Sequence, residues 1–145
     1  EAYRSAVVSH DHPEGIKGAQ ATALVVFLGR KGYEKEDIRE IIKDRFDYDL
    51  NKSLAELRPG YSFDVSCQGT VPPAITAFME SNSVEDAIRK AVSLGGDSDT
   101  LACITGSMAE AYYQEIPKSI ESEVRQRLPG DLLIVLDEFR NRYIQ

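Results

Sequence analysis

Apolar residues recur at spacings of three and four along most of this chain, the period of a helix with one buried face. Ile38, Ile41, Ile42 and Phe46 predict a helix from about Lys35 to Phe46. Val84, Ala87, Ile88, Ala91 and Val92 predict another, with Ser83 as N-cap, Asp86 three residues on and a stop at Gly95. Leu132, Leu133, Val135, Leu136, Phe139 and Tyr143 predict a last helix, opened by Pro129-Gly130-Asp131. The stretch from Ile16 to Arg30 is apolar on most sides, so its helix is expected to be central and among the most buried. Only Tyr61 to Ser66 alternates with period two, too little to build a sheet without partner strands. The fold class expected is therefore all-α. One long irregular segment is expected from Pro59 to Pro73, where Gly60, Gly69, Pro72 and Pro73 fall, and loops of that length are often functional.

Composition narrows the picture. A chain of 145 residues has room for one core, so residues 1–145 are read as part of a single domain. A net charge of −7 argues against binding a nucleic-acid backbone, which needs clustered Lys and Arg. It leaves room for a small anionic ligand held by metal ions. The longest apolar stretch, Ala19 to Leu28, is broken by Gln20 and Thr22 and is too short to span a bilayer. Cys67 and Cys103 form no CxxC pair, and the expectation is two buried free thiols in a reducing cytoplasm. The chain opens at Glu1 without a methionine, inside an apparent helix, so an upstream segment is expected.

The segment richest in chemistry is Gly95-Gly96-Asp97-Ser98-Asp99-Thr100, between the second helix and another expected from about Asp99 to Tyr113. Asp97 and Asp99 offer two hard carboxylate donors at i and i+2, and Thr100 adds a hydroxyl. Such oxygens suit Mg²⁺, Mn²⁺ or Ca²⁺ better than Zn²⁺. The competing reading is a helix N-cap, which needs one Asp or Ser and no more. Ala102, Gly106 and Ala109 then give the following helix a small-residue face that a neighbour can approach closely. His10-Asp11-His12-Pro13-Glu14 gathers potential ligands, but without zinc spacing, and reads as a turn opening a helix. Asp47-Tyr48-Asp49-Leu50-Asn51 opens like an EF-hand loop, yet Lys52 and Arg58 occupy the positions that need Gly and Glu.

Ser93 to Ala102, with Ile104, Gly106 and Ala109 behind it, resembles the C-terminal metal motif of the ADP-ribosylglycohydrolases. Three further stretches match in order. Ser9-His10, Pro13 and Gly18-Ala19 resemble the family's Thr-His-x-x-Pro helix start. Val71-Pro72-Pro73-Ala74-Ile75 resembles the approach to the metal motif, and Ala111-Tyr112-Tyr113 with Ile116-Pro117 resembles the stretch after it. The resemblance implies an orthogonal all-α bundle whose N-terminal part lies outside this chain, and a cleft holding two Mg²⁺ or Mn²⁺ ions. It implies hydrolysis of the glycosidic bond at the ribose anomeric carbon of an ADP-ribosylated protein or small molecule. Asp97, Asp99 and Thr100 would be metal ligands. His10, Gln68, Gly69, Gly96 and Ser98 would line the ADP-ribose site, with His10 facing the cleft of Asp97. The catalytic acid would lie in the N-terminal half, the partner that completes the site. A non-catalytic ADP-ribose-binding protein of the same fold is the alternative. Gln114 departs from the family, standing where many members have glycine, and so does Glu110, where a small residue is usual.

Overall fold

In the computed structural model, which describes residues 1–144, every regular element is helical. The order is α1 (Ala2–Val7), α2 (Pro13–Arg30), α3 (Lys35–Phe46), α4 (Leu54–Leu57), a 3₁₀ turn (Arg58–Gly60), α5 (Cys67–Met79), α6 (Val84–Val92), α7 (Ser98–Tyr113), α8 (Lys118–Arg127) and α9 (Gly130–Tyr143). Among the described residues there is no strand, and Tyr61 to Ser66 forms no regular element. Helix α3 has the bounds its period predicts. Helix α6 starts as expected, the Ser83 hydroxyl accepting from the Asp86 amide at 3.1 Å.

The chain divides into two compact units, Glu1–Glu115 and Ile116–Gln145. The first is built on α2, α5, α6 and α7, which pack on one another. Its main core gathers Val25, Ile38, Ile42, Ile75, Phe78 and Met108, all fully buried. A second cluster, Leu54, Ala74, Ala77, Ala91, Leu94 and Leu101, sits where α5, α6 and α7 meet. One tight crossing depends on a missing side chain. A Cβ on Gly18 of α2 would lie 3.2 Å from Cys67 and Val71 of α5. One on Gly106 of α7 would make only an ordinary contact with Ile88 of α6, at 3.5 Å, so that crossing does not require glycine. The second unit is the α8–α9 pair, joined by a two-pronged Arg125–Asp137 ion pair at 2.8 and 2.9 Å and by Arg140–Glu121.

Two expectations need correction. The segment from Pro59 to Pro73 is not irregular throughout, because α5 begins at Cys67 and carries Pro72 and Pro73 inside it. Helix α2 is central, packing on α1, α3, α5 and α7, but it is less buried than expected. It buries one stripe, Gly18, Ala21, Val25, Leu28 and Gly29, and leaves Phe27 55% exposed. Helix α5 buries nearly every residue from Thr70 to Met79. The prolines sit early in α5, where each removes a bond to, and crowds, a carbonyl four residues back near the helix start. Pro72 and Pro73 thus free the carbonyls of Gln68 and Gly69, in the first turn, where the chain can supply other donors.

One side chain secures the far end of α5. The Lys35 ammonium donates to the carbonyls of Ser81 and Phe78 at 2.6 and 2.9 Å and to the Tyr113 hydroxyl at 2.8 Å. It also lies about 5 Å from the rings of Phe78, Tyr112 and Tyr113. Three protons thus meet three short acceptors, tying α3 to the ends of α5 and α7.

Candidate functional site

Helix α6 ends at Val92, and the chain reverses through Gly95 and Gly96, whose φ angles are +77° and +63°. Both lie in the left-handed region, which glycine enters without the Cβ penalty. The turn delivers Asp97 to the N-cap position of α7. Asp97 makes no side-chain capping bond there, so the cap role does not occupy its carboxylate. Asp99 lies just inside the helix, exposed to solvent. The neighbouring Asp97 carboxyl, together with the backbone amides of Thr100, at 3.0 Å, and Asp99, holds its carboxyl below the usual carboxylate range. Thr100 stands beside it on the exposed first turn. Two carboxylates and a hydroxyl form an all-oxygen donor set, which fits Mg²⁺ or Mn²⁺ in kind. It falls short in number: among the described residues no group of three or more His, Cys, Asp or Glu could hold a metal ion.

His10 lies in the turn before α2. Its neighbour His12 is the N-cap, accepting from the Glu14 amide at 3.2 Å. The His10 Nδ1 is 2.8 Å from the Ser9 hydroxyl. His10, Ser66, Cys67 and Gln68 line one cleft of about 580 Å³. The structure therefore brings together His10 and Gln68, which lie far apart in the sequence. On the other side of the same segment, Gln68 and Gly69 line a cleft of about 590 Å³ with Tyr61, Ser62 and Asp64.

Gly69 has a structural reason to be glycine. A Cβ there would fall 2.0 Å from an Asp64 carboxylate oxygen. That carboxylate accepts from the Ser66 amide at 2.7 Å, which holds it well ionised, and the Thr70 hydroxyl donates to the Asp64 carbonyl. Gly96 is confined in the same way: its Cβ would lie 3.0 Å from the Ser62 carbonyl and 3.1 Å from the Tyr61 ring. The 61–69 segment thus runs from the Asp97 loop to the His10 cleft. Sequence reasoning passed over Tyr61 and Asp64, whose only signal was their place in a Gly- and Pro-rich stretch. Ser98 is half-buried at the first position of α7.

Compared with known proteins, residues 1–143 match the ADP-ribosylglycohydrolase family. The chain is similar to the ADP-ribosylarginine hydrolase Tri1 of Pseudomonas putida (strain GB-1), at 29% identity over 124 residues, 78% of this chain and 32% of that protein. It is also similar to an uncharacterized protein of Archaeoglobus fulgidus, at 26% identity over 128 residues, 79% of this chain and 42% of that one. It therefore spans less than half the length of these relatives. With the family matched over nearly every residue and an all-helical fold to go with it, this chain belongs to the ADP-ribosylglycohydrolases.

Proposed function

We propose that this chain supplies the metal loop and one wall of the ADP-ribose site of a hydrolase that cleaves the glycosidic bond at the ribose anomeric carbon. The observation that carries the reading is Asp97, an N-cap aspartate that does no capping, two residues from the exposed carboxylate of Asp99. Asp97, Asp99 and the Thr100 hydroxyl are the residues to hold Mg²⁺ or Mn²⁺, two ions in the complete site. When bound, the ions supply a hold on the ribose hydroxyls, a positioned water and compensation for charge developing at the anomeric carbon. His10 and the Gln68 amide offer hydrogen bonds to ribose or phosphate from their shared cleft. In the assembled site that cleft faces the Asp97 loop. Gly69 and Gly96 let that wall pack closely, against Asp64 and against Ser62 and Tyr61, and the Ser98 hydroxyl adds a donor at the start of α7.

The similarity to an ADP-ribosylarginine hydrolase makes arginine-linked ADP-ribose the first substrate to test. Three ligand residues cannot fill the six-oxygen shell of Mg²⁺. The remaining ligands and the catalytic acid belong to the N-terminal half of the same protein, and the 145-residue chain alone is inactive. Cys67 is half-buried and Cys103 exposed, where both were expected to be buried, and free thiols accord with a cytoplasmic setting. The small count of acidic ligands here keeps a second reading in play, an ADP-ribose-binding protein without turnover. Full-length protein is incubated with ADP-ribosylated arginine, with Mn²⁺ and with chelator. Release of ADP-ribose that chelator abolishes supports the enzyme. Binding of ADP-ribose without release supports the second reading.

A further inference from the structure

The twin prolines of α5 and the glycine turn before Asp97 are joined by one side chain. Pro73 has no N–H to offer the Gly69 carbonyl, and the Tyr61 hydroxyl donates to that carbonyl instead, at 3.3 Å. The ring of the same Tyr61 lies where a Cβ on Gly96 would touch it, against the residue preceding Asp97. Tyr61 also packs on the cluster that contains Leu94 and Leu101, which flank the Asp97 loop on both sides. Arg58 adds a second tie, donating to the Ser93 carbonyl at 3.3 Å and to the Ser93 hydroxyl at 2.8 Å.

We propose that Tyr61 is a positioning residue, bridging the proline-freed Gly69 carbonyl to the Gly96–Asp97 turn and so fixing the metal loop against the wall that carries Gln68. The inference rests on the metal reading proposed above for Asp97. Pro73 has a purpose in this arrangement: it leaves the Gly69 carbonyl of α5 open for a donor from outside the helix. Cation and ligand ends of the site then move as one piece. Neither Tyr61 nor Arg58 need touch metal or substrate. Side chains that orient metal ligands from behind change metal affinity by about 10- to 100-fold when lost.

The test is Mn²⁺ binding to the full-length protein, read as loss of the free-ion electron paramagnetic resonance signal, alongside thermal unfolding. Tyr61→Ala is expected to weaken binding about tenfold or more, and Tyr61→Phe, which keeps the ring, about threefold. Tyr113→Phe serves as a control for general weakening of the fold. It removes a hydroxyl from the Lys35 cage at the other end of α5 and is expected to leave Mn²⁺ affinity unchanged. Wild-type affinity in folded Tyr61→Ala overturns the inference; if that variant does not fold, wild-type affinity in Tyr61→Phe overturns it. An equal loss in Tyr113→Phe overturns it as well. Failure of the metal reading looks different: Asp97→Ala would then bind Mn²⁺ as wild type does, and the inference would fall with it.

Discussion

Lys35→Met removes the charge at the far end of α5 and leaves its length. The ammonium donates to three short acceptors, the Phe78 and Ser81 carbonyls and the Tyr113 hydroxyl. Each carbonyl keeps another donor after the change: the Ser81 hydroxyl reaches Phe78 at 2.6 Å, and the Tyr113 hydroxyl reaches Ser81 at 2.5 Å. The substitution therefore costs charged hydrogen bonds without orphaning a buried acceptor. At about 1.5 kcal/mol for each charge-assisted bond, three sum to about 4.5 kcal/mol. The methionine stem recovers about 1.5 kcal/mol by packing on the three rings the ammonium now faces. The net loss expected is about 3 kcal/mol. Urea unfolding followed by circular dichroism at the helix band reads it directly. With a slope of about 1.5 kcal/mol per molar, the midpoint falls by about 2 M. A loss below about 1 kcal/mol would refute the reasoning, since it would mean the cage is no better for the ammonium than water.

Other consequences attach to single positions. Tyr48→Phe should stabilise the fold by about 1 kcal/mol, because the buried Tyr48 hydroxyl has no hydrogen-bond partner; a lower urea midpoint would contradict this. Burial, with Glu14 and Cys67 adding to it, pushes the Tyr48 phenol up to about 12. The unfolded chain ionises this group at lower pH than the folded one, so wild-type stability should decline as pH rises from about 10 towards 12, and Tyr48→Phe should flatten that decline. Gln114 occupies the left-handed cap of α7 at φ 56°, a conformation that favours glycine. Gln114→Gly should therefore raise stability by about 0.5 kcal/mol in the same titration, and a loss would count against it. Gly69→Ala should destabilise by about 2 kcal/mol, since its Cβ collides with the Asp64 carboxylate, and Asp64→Ala in the same chain should relieve much of that loss.

The helices most legible in the sequence were those with one apolar stripe and ordinary ends. Ile38 and Ile42 of α3 are fully buried, and the Ser83 cap of α6 is formed. Helix α5 was hidden because Pro72 and Pro73 read as breakers, and the donor that compensates one of them, Tyr61, comes from outside the helix. Helix α2 was over-read, since a composition apolar on most sides does not say which stripe the neighbours cover. At the site, the Gly-Gly-Asp-Ser-Asp-Thr string stood out by concentrating donors behind two glycines, both of them left-handed in the fold. The pairing of His10 with Gln68, and of Gly96 with Tyr61, depends on long-range packing that no local period records. The same holds for Lys35, which on spacing alone is one more charge on a solvated helix face.

The central claim is that Asp97 and its neighbours hold the divalent cation of an ADP-ribosylglycohydrolase. The measurement that reaches it most directly is Mn²⁺ titration of the full-length protein and its Asp97→Ala variant, with ADP-ribose release followed in the same samples. The expected result is that the substitution abolishes tight Mn²⁺ binding and release together while the helical signal is retained. Undiminished Mn²⁺ binding and turnover in a folded Asp97→Ala protein would contradict it.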